Sequence, residues 1–286
     1  MDLQESYGAI VERVVAIAVK GPTGAPRNRV PEIIGTGFVV GDGIVATNDH
    51  VIGTARNIQA KFGLPRDEWP FEAVLFHKLS GKGMAQLTMR VLGAFTVESF
   101  ETKGPYYGPD KPDIGLLHVD MHGLPEVLLK VDQSSIAPGA RVATVGFPMG
   151  TRALSAPGYV HQLCPTLQEG IVSAVLPFPS STPHAIMLNM MSQGGASGSP
   201  IFLPHTSEVI GVLYGGLNET YSLSIQGTHV PYLVPTNFTY CVPAHYLAQF
   251  LDHARTEPGL QHRKEVPDFN AIIDGYVAQI DQSSST

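Results

Sequence analysis

Short apolar runs separated by turn-forming residues recur along this chain, and they constrain its fold more than any other feature. The clearest pair occupies residues 35–40 and 44–47, on either side of Gly41-Asp42-Gly43. Both runs contain Val and Thr, and the second also contains Ile; these residues favour extended backbone. An Asp-Gly pair between two such runs is a strong signal for a β-hairpin. The sequence therefore predicts antiparallel β-structure in this region.

Similar runs continue as far as residue 242, with little helical periodicity between them. We predict further strands at 57–62, 71–76, 89–95, 114–119, 141–146, 170–175, 185–190, 201–203, 209–214 and 240–242. The chain also contains 30 Gly and 23 Pro, which suits a fold with many tight turns. Many short strands spaced by turns are typical of all-β sandwiches and barrels.

The segment 243–254 is an exception, because its pattern is that of an amphipathic helix. Apolar residues recur there at helical spacing and share one face: Tyr246, Leu247, Phe250 and Leu251. Pro243 suits the first helical position, where its missing N–H has no consequence. A second short helix is predicted near 269–280, within a C-terminal extension that covers 255–286.

Charge and hydropathy argue against two kinds of partner. The net charge of −7 and the isoelectric point near 5.8 leave no basic footprint for a nucleic-acid backbone. The apolar stretch 14–19 is far too short to span a membrane. Glu5 and Glu12 precede that stretch, whereas a secretory signal has a basic start and a longer apolar core. We therefore expect a cytoplasmic protein that binds neither nucleic acid nor membrane.

The chain contains two cysteines, Cys164 and Cys241. We expect both to be free, buried thiols, with a single disulfide between them as the alternative. Neither a C-x-x-C nor an H-E-x-x-H spacing occurs, so no metal site is indicated. No other feature of the sequence requires a cofactor, and none indicates an oligomeric state.

A serine enclosed by small residues carries the strongest chemical signal. Ser197 follows Gly194-Gly195-Ala196 and precedes Gly198, between apolar runs that end at Met191 and begin at Ile201. In such a tight, exposed loop, the N–H groups of Gly195 and Ser197 could converge on one point. Two convergent N–H groups form an oxyanion hole, and losing one typically costs about 2.7–4 kcal/mol in the reaction barrier.

A serine hydroxyl becomes a good nucleophile when an adjacent base accepts its proton. His50 is the best candidate for that base, because it follows directly on the predicted strand at 44–47. The base in turn needs a carboxylate that orients it. Asp113 stands at the head of the predicted strand 114–119 and is the best candidate, with Asp110 as a weaker alternative.

Together these segments resemble the chymotrypsin-like (trypsin-like) serine peptidases, and most closely their HtrA-like bacterial branch. The motifs occur in that family's order: Gly35-Thr36-Gly37-Phe38-Val39, Thr47-Asn48-Asp49-His50-Val51, Asp113-Ile114-Gly115-Leu116-Leu117 and Gly195-Ala196-Ser197-Gly198-Ser199-Pro200. The segments 145–150 and 170–175 also look like parts of the family's second barrel. The resemblance covers about residues 32–250.

The resemblance implies an all-β fold of two six-stranded antiparallel barrels with a C-terminal helix. The first half, 1–133, would carry His50 and Asp113, and the second half, 134–254, would carry Ser197. It also implies a serine endopeptidase that uses these three residues as its catalytic triad. Such an enzyme acts on polypeptides and needs no cofactor or metal.

The sequence departs from the family in two places. Ala196 stands where the digestive members carry an Asp that pairs with a newly cut N-terminus, so activation by that route is not expected. About thirty residues follow the predicted helix 243–254. That length is too short for the PDZ domain of longer HtrA-like relatives, so we expect none.

The resemblance also indicates where the substrate binds. In this family, the pocket for the residue before the scissile bond, P1, lies between the segment before the nucleophile and the strand after it. The corresponding residues are Met191 on one side and Tyr214, Gly215 and Gly216 on the other. These segments contain no carboxylate, and burial of an unpaired Lys or Arg is costly. We therefore expect an apolar P1 residue, and a strand edge at the two glycines that holds the substrate backbone.

Two alternatives remain open from the sequence. One is a protease-like fold that binds peptides or partners without cutting them. The other is an α/β-hydrolase esterase, whose G-x-S-x-G motif lies at a turn between a strand and a helix. Here Ser199 occupies the fifth position of that motif, and a strand-like run follows it.

Overall fold

The computed structural model describes residues 1–19, 32–63, 69–79, 81, 83–100, 105–108, 110–150, 164–225, 228–256 and 266–283. Within these ranges, the strands form two closed six-stranded barrels, and a helix follows the second barrel. All strand pairs in both barrels are antiparallel. The prediction of two six-stranded antiparallel barrels with a C-terminal helix is therefore confirmed.

Each barrel closes in the same relative strand order. The first has the order β1-β2-β3-β6-β5-β4 and consists of β1 (Val14–Val19), β2 (Glu32–Gly41), β3 (Ile44–Thr47), β4 (Phe71–Leu79), β5 (Gly83–Thr96) and β6 (Gly115–Val119). The second has the order β10-β11-β12-β9-β8-β7 and consists of β7 (Arg141–Gly146), β8 (Thr166–Leu176), β9 (Ala185–Asn189), β10 (Pro200–Phe202), β11 (Val209–Ile225) and β12 (Thr228–Pro243). The hairpin predicted at the Asp-Gly turn is β2–β3.

Strand β1 shows why a strand of this fold can be apolar on both faces. Five of its six residues are buried. Alternate side chains point to opposite faces of a strand. Val15 and Ile17 pack in the core of the first barrel. Val14 and Ala16 pack in a second cluster, which includes Phe147 from the other half of the chain. One face therefore fills a barrel, and the other joins the two barrels.

The predicted strand at 57–62 is wrong, because these residues form the second half of helix α2 (Asp49–Phe62). Their alternating apolar residues have the period of a strand. The first half of the helix is anchored by Val51, Ile52 and Ala55, which are buried at helical spacing. Gly63 ends the helix in the left-handed conformation, which glycine adopts without steric cost.

The other helices pack at the two ends of the chain. They are α1 (Leu3–Val11), α3 (Ala244–Ala254) and α4 (Phe269–Ser283). In α3, Leu247 and Leu251 are buried as predicted, and Pro243 lies just before the first helical residue. Phe269 inserts the start of α4 into the core of the first barrel. No helix in the described parts of the chain is long and apolar enough to cross a membrane.

The last predicted strands are much longer than the sequence suggested. Strands β11 and β12 continue beyond the second barrel and pair with each other as far as Ile225 and Thr228. We call residues 217–225 and 228–237 the arm. The division of the chain at 133 and 254 stays a prediction. Residues 257–265 and 284–286 of the predicted C-terminal extension lie outside the described ranges.

Candidate active site

His50 lies in the first turn of α2, directly after strand β3. The strand ends at Thr47, which is buried, and Asn48 is extended before the helix begins. The Asn48 side chain makes no capping bond to the helix, and its Nδ2 donates to the Asp113 carbonyl oxygen at 2.7 Å. This bond ties the start of α2 to the segment that precedes β6. The His50 side chain is 48% exposed, so its ring is accessible from solvent.

Asp113 holds His50 through both of its carboxylate oxygens. Oδ2 lies 2.6 Å from Nδ1 of the His50 ring, and Oδ1 accepts the His50 backbone N–H at 3.1 Å. The Asp113 side chain is only 18% exposed. A carboxylate at Nδ1 fixes the tautomer that leaves Nε2 free to accept a proton. Of the two predicted carboxylates, Asp113 rather than Asp110 makes this contact.

A salt bridge between neighbouring residues also supports the contact of Asp113 with His50. Lys111 Nζ lies 2.7 Å from Asp49 Oδ2 and donates to the Val97 carbonyl oxygen at 2.5 Å. Lys111 is two residues before Asp113, and Asp49 is the residue before His50. The ion pair therefore links the two chain segments that carry the imidazole and the carboxylate.

The loop before Ser197 contains a tight turn with glycine at its third position. The Ala196 N–H donates to the Gln193 carbonyl oxygen at 3.0 Å. Gly195 has φ +93°, which is typical of a type II turn and favours glycine. Within the described residues, the N–H groups of Gly195 and Ser197 donate to no protein acceptor. Both predicted oxyanion-hole donors are therefore unused by the protein.

Thr36 joins this loop to the first barrel, and it is a site residue that the sequence motif contained without revealing its role. Its N–H donates to the Ser197 carbonyl oxygen at 2.8 Å, and its Oγ1 donates to the Gly195 carbonyl oxygen at 2.7 Å. The same Oγ1 accepts the Phe147 N–H at 3.1 Å. Thr47 Oγ1 donates to the Thr36 carbonyl oxygen at 2.8 Å. Thr36 is fully buried between two glycines, and its partner Gly195 is 159 residues away, so no local sequence signal indicates this role.

Ser197 and the His50 segment approach the same point of strand β2. A Cβ added at Gly35 would lie 2.8 Å from a methyl group of Val51 and 3.4 Å from the Ser197 carbonyl oxygen. Gly35 thus lies between the residue after His50 and the Ser197 backbone. Ser197 is half-buried. Within the described residues, no hydrogen bond joins its hydroxyl to His50, so the direct contact among the three candidate residues is that of His50 with Asp113.

The two predicted walls of the P1 pocket face each other. A Cβ added at Gly216 would lie 3.5 Å from the Ser192 carbonyl oxygen, whereas nothing lies within 4 Å of one at Gly215. Met191 is 39% exposed beside this opening. The Tyr214 ring stacks on Tyr240, with ring centroids 5.9 Å apart.

The environment of Tyr214 keeps its phenol protonated. Burial raises the pKa of Tyr214 to about 12, with smaller contributions from Tyr240, Cys241 and Asp113. Tyr214 therefore stays neutral at physiological pH.

The described residues contain neither a side-chain cluster suited to a metal ion nor a disulfide. No group of three or more His, Cys, Asp or Glu side chains there could hold a metal ion. Both cysteines are free, and Cys241 is buried as expected. Cys164 is exposed, so the expectation that it is buried was wrong. Burial raises the pKa of the Cys241 thiol far above its usual range, so this thiol stays protonated and unreactive.

Comparison with known proteins identifies the family. One similar solved structure is described as "Crystal structure of Deg5" and is 18% identical in sequence. The superposition covers 86% of this chain and 90% of the other chain, with a TM-score of 0.49. A comparison with curated protein sequences gives no significant match. The family model of the trypsin-like peptidase domain matches residues 35–212, which is more than half of the chain. The chain therefore belongs to the trypsin-like peptidase family.

Proposed function

We propose that this protein is a serine endopeptidase that hydrolyses polypeptides through Ser197, His50 and Asp113. The observation that carries the proposal is the double contact of Asp113 with the ring and the backbone of His50. A carboxylate bound to Nδ1 is the arrangement that makes Nε2 a general base. The unused N–H groups of Gly195 and Ser197 supply the second requirement, an oxyanion hole.

The reaction would follow two steps. Ser197 Oγ attacks the carbonyl carbon of the scissile bond while His50 Nε2 takes the hydroxyl proton. The N–H groups of Gly195 and Ser197 bind the oxyanion, and the protonated His50 then gives its proton to the leaving amine. Water hydrolyses the acyl-enzyme by the same route in reverse. Asp113 stabilises the imidazolium in both steps without being protonated itself.

The proposed P1 residue is apolar. Two carboxylates occur between Pro183 and Val242, Glu208 and Glu219. Glu208 is paired with Lys130 at 3.7 Å, and Glu219 accepts the Tyr221 hydroxyl at 2.5 Å in the arm. Both are engaged outside the walls formed by Met191 and Gly216. A Lys or Arg at P1 would therefore be buried without a counter-charge, which is unfavourable.

A serine-reactive fluorophosphonate probe, combined with a peptide library, tests the proposal. We expect the probe to label Ser197, as located by mass spectrometry, and the library to be cut after apolar residues. Ser197→Ala should lose both activities, and His50→Ala should lose labelling. Ser199→Ala is the matched control, because its hydroxyl bonds the loop's own backbone at Ala196, and it should still be labelled.

The outcomes separate the parts of the proposal. Unlabelled wild-type protein that binds library peptides intact would favour a peptide-binding module without catalysis. Cleavage that persists in Ser197→Ala would overturn the assignment of the nucleophile. Preferred cleavage after Lys or Arg would overturn the P1 assignment alone.

A further inference from the structure

The arm is a two-stranded ribbon that leaves the second barrel with both faces exposed. Its strands pair from Asn218 with Pro235 to Ile225 with Thr228. Within the described residues, no third strand pairs with either side of it. An isolated two-stranded ribbon is marginally stable in water, and a third strand adds the pairing that it lacks. The two edges of the arm therefore decide what it can bind.

The outer edge of β12 is blocked by proline. Pro231 and Pro235 have no N–H to donate, so within a ladder their nitrogens face away from the partner strand. In an antiparallel ladder, two opposite residues point their N–H and C=O groups either towards each other or both outward. The outer edge of β12 thus presents missing donors at two positions, which is a common protection against strand addition.

The outer edge of β11 is open. Ser222 and Asn218 lie opposite the two prolines, so their N–H and C=O groups also point outward. Thr220 and Ser224 alternate with them and point the same way. No proline interrupts β11, and the Glu219 carboxylate between these positions accepts the Tyr221 hydroxyl. Four consecutive outward positions are therefore available to a strand that adds to this edge.

The open edge leads directly to Ser197. At its barrel end, the Gly198 N–H donates to the Leu213 carbonyl oxygen, and the Leu213 N–H donates to the Ser199 carbonyl oxygen. Gly216 follows on the same strand and faces the other wall of the P1 pocket. From Gly216 to Ser224 the edge is about 27 Å long at about 3.4 Å per residue. A chain that pairs along it towards the barrel arrives at the candidate nucleophile.

One face of the arm is apolar. Tyr221 stacks on Tyr232 with ring centroids 5.9 Å apart, and Leu223 pairs with Val230 beside them. All four side chains are 43–53% exposed. Aromatic and β-branched neighbours on one face stabilise a pair of strands. A third strand with similar residues at alternate positions would extend this face.

We propose that the arm binds the part of a polypeptide substrate that precedes the scissile bond, as a third strand antiparallel to β11. This inference rests on the proposed peptidase function and names its substrate class: an extended, unfolded chain with apolar or aromatic residues at alternate positions. The antiparallel direction is the more stable pairing. It also brings the carboxyl side of the bound segment to Ser197. The arm thus selects chains without fixed structure, because a folded protein offers no free strand of that length.

The first test measures binding of fluorescent peptides to the Ser197→Ala protein. The peptides share one cleavage sequence and are extended stepwise on the amino side, to four, seven and ten residues before the scissile bond. We expect at least tenfold tighter binding of the longest peptide than of the shortest. Affinity independent of length would overturn the proposal.

The second test compares two proline variants at one position of the ladder. Thr220 lies opposite Leu233, and both N–H groups point outward, from opposite edges of the arm. Thr220→Pro removes a donor from the open edge, and the ratio of long-peptide to short-peptide affinity should fall to about one. Leu233→Pro adds a third proline to the blocked edge. Its ratio of long-peptide to short-peptide affinity should equal that of the Ser197→Ala protein without a proline substitution. Equal ratios in the two variants would contradict the proposal.

The controls distinguish this inference from the proposed function. Cleavage of the shortest peptide by the wild-type protein depends on the proposed triad and not on the arm. If this peptide is not cleaved, the proposed peptidase function is contradicted, whereas the binding measurements still test the arm. A second copy of the chain is the competing occupant of the open edge. A dimer in sedimentation that Thr220→Pro dissociates, together with affinity independent of peptide length, would assign the edge to that copy and overturn the proposal.

Discussion

Replacing Thr36 by valine tests how far the nucleophile loop depends on the first barrel. Valine has nearly the shape of threonine and keeps the backbone N–H that donates to the Ser197 carbonyl oxygen. It removes the hydroxyl that donates to the Gly195 carbonyl oxygen and accepts the Phe147 N–H. Thr36 is fully buried, so water does not replace these bonds. The change therefore leaves one acceptor and one donor unpaired in the interior.

The expected loss of stability is calculated from these two unpaired polar groups. A buried polar group that loses its partner costs about 1–3 kcal/mol. Thr36→Val should therefore lower the free energy of unfolding by about 3 kcal/mol. The Gly195 peptide also loses its anchor, and complete loss of an oxyanion donor costs about 10²–10³ in kcat. With the type II turn still closed by the Ala196 N–H, we expect a partial effect of about 10–100-fold.

Thr144→Val is the matched control. Thr144 is also buried, and its hydroxyl donates to the Pro200 carbonyl oxygen at 2.9 Å, outside the Gly195 turn. Urea unfolding should show both variants destabilised, with the larger loss in Thr36→Val. Peptide hydrolysis at saturating substrate should show the fall in kcat for Thr36→Val alone. Equal kcat values for the two variants would refute the positioning role of Thr36.

Two further predictions concern the proposed triad and a buried imidazole. If the proposed triad is the catalytic centre, Asp113→Asn should lower kcat about 10⁴-fold, because the amide would hold the His50 ring in the wrong tautomer. Steady-state hydrolysis measures this, and a fall under tenfold would contradict it. The pKa of His245 is lowered to about 4 by burial and then by His184. Since an unfolded His has a pKa near 6.5, the unfolded chain binds the extra proton first as the pH falls, and about 3 kcal/mol of stability should be lost between pH 6.5 and 4. Urea unfolding of the wild-type protein and His245→Leu at pH 7 and pH 4.5 measures this loss, and equal pH dependence in the two proteins would contradict it.

The sequence predicted most of the strands and the carboxylate partner of His50 because their signals are local, whereas the two six-stranded barrels were implied by the resemblance to a known family. Glycine turns, β-branched runs and a carboxylate at the head of an apolar strand all lie within a few residues of one another. Asp113 could be preferred over Asp110 for that reason, and the structure brings Asp113 to His50.

The remaining features depend on contacts between distant segments. Helix α2 was misassigned because the alternation at 57–62 lies on its exposed half, whereas burial against the barrel decides its first half. The arm was missed because its strands contain prolines and polar residues, which single-sequence patterns assign to loops. The role of Thr36 depends on its hydrogen bond to Gly195, which is 159 residues away. A local sequence pattern does not reveal a contact between residues so far apart.

The hydrogen bonds of Thr36 also determine how this chain can be recombined with its relatives. By sequence, the loop of Ser197 belongs to the second barrel, but two of its carbonyl oxygens find their donors on β2 of the first. A chimera that exchanges the second half alone would combine the Ser197 loop of one parent with strand β2 of another. Crossover sites for shuffling this protein should therefore keep β2 and the Ser197 loop from the same parent. Screens for lost activity will also recover substitutions in β2, although that strand contributes no group to the proposed triad or oxyanion hole.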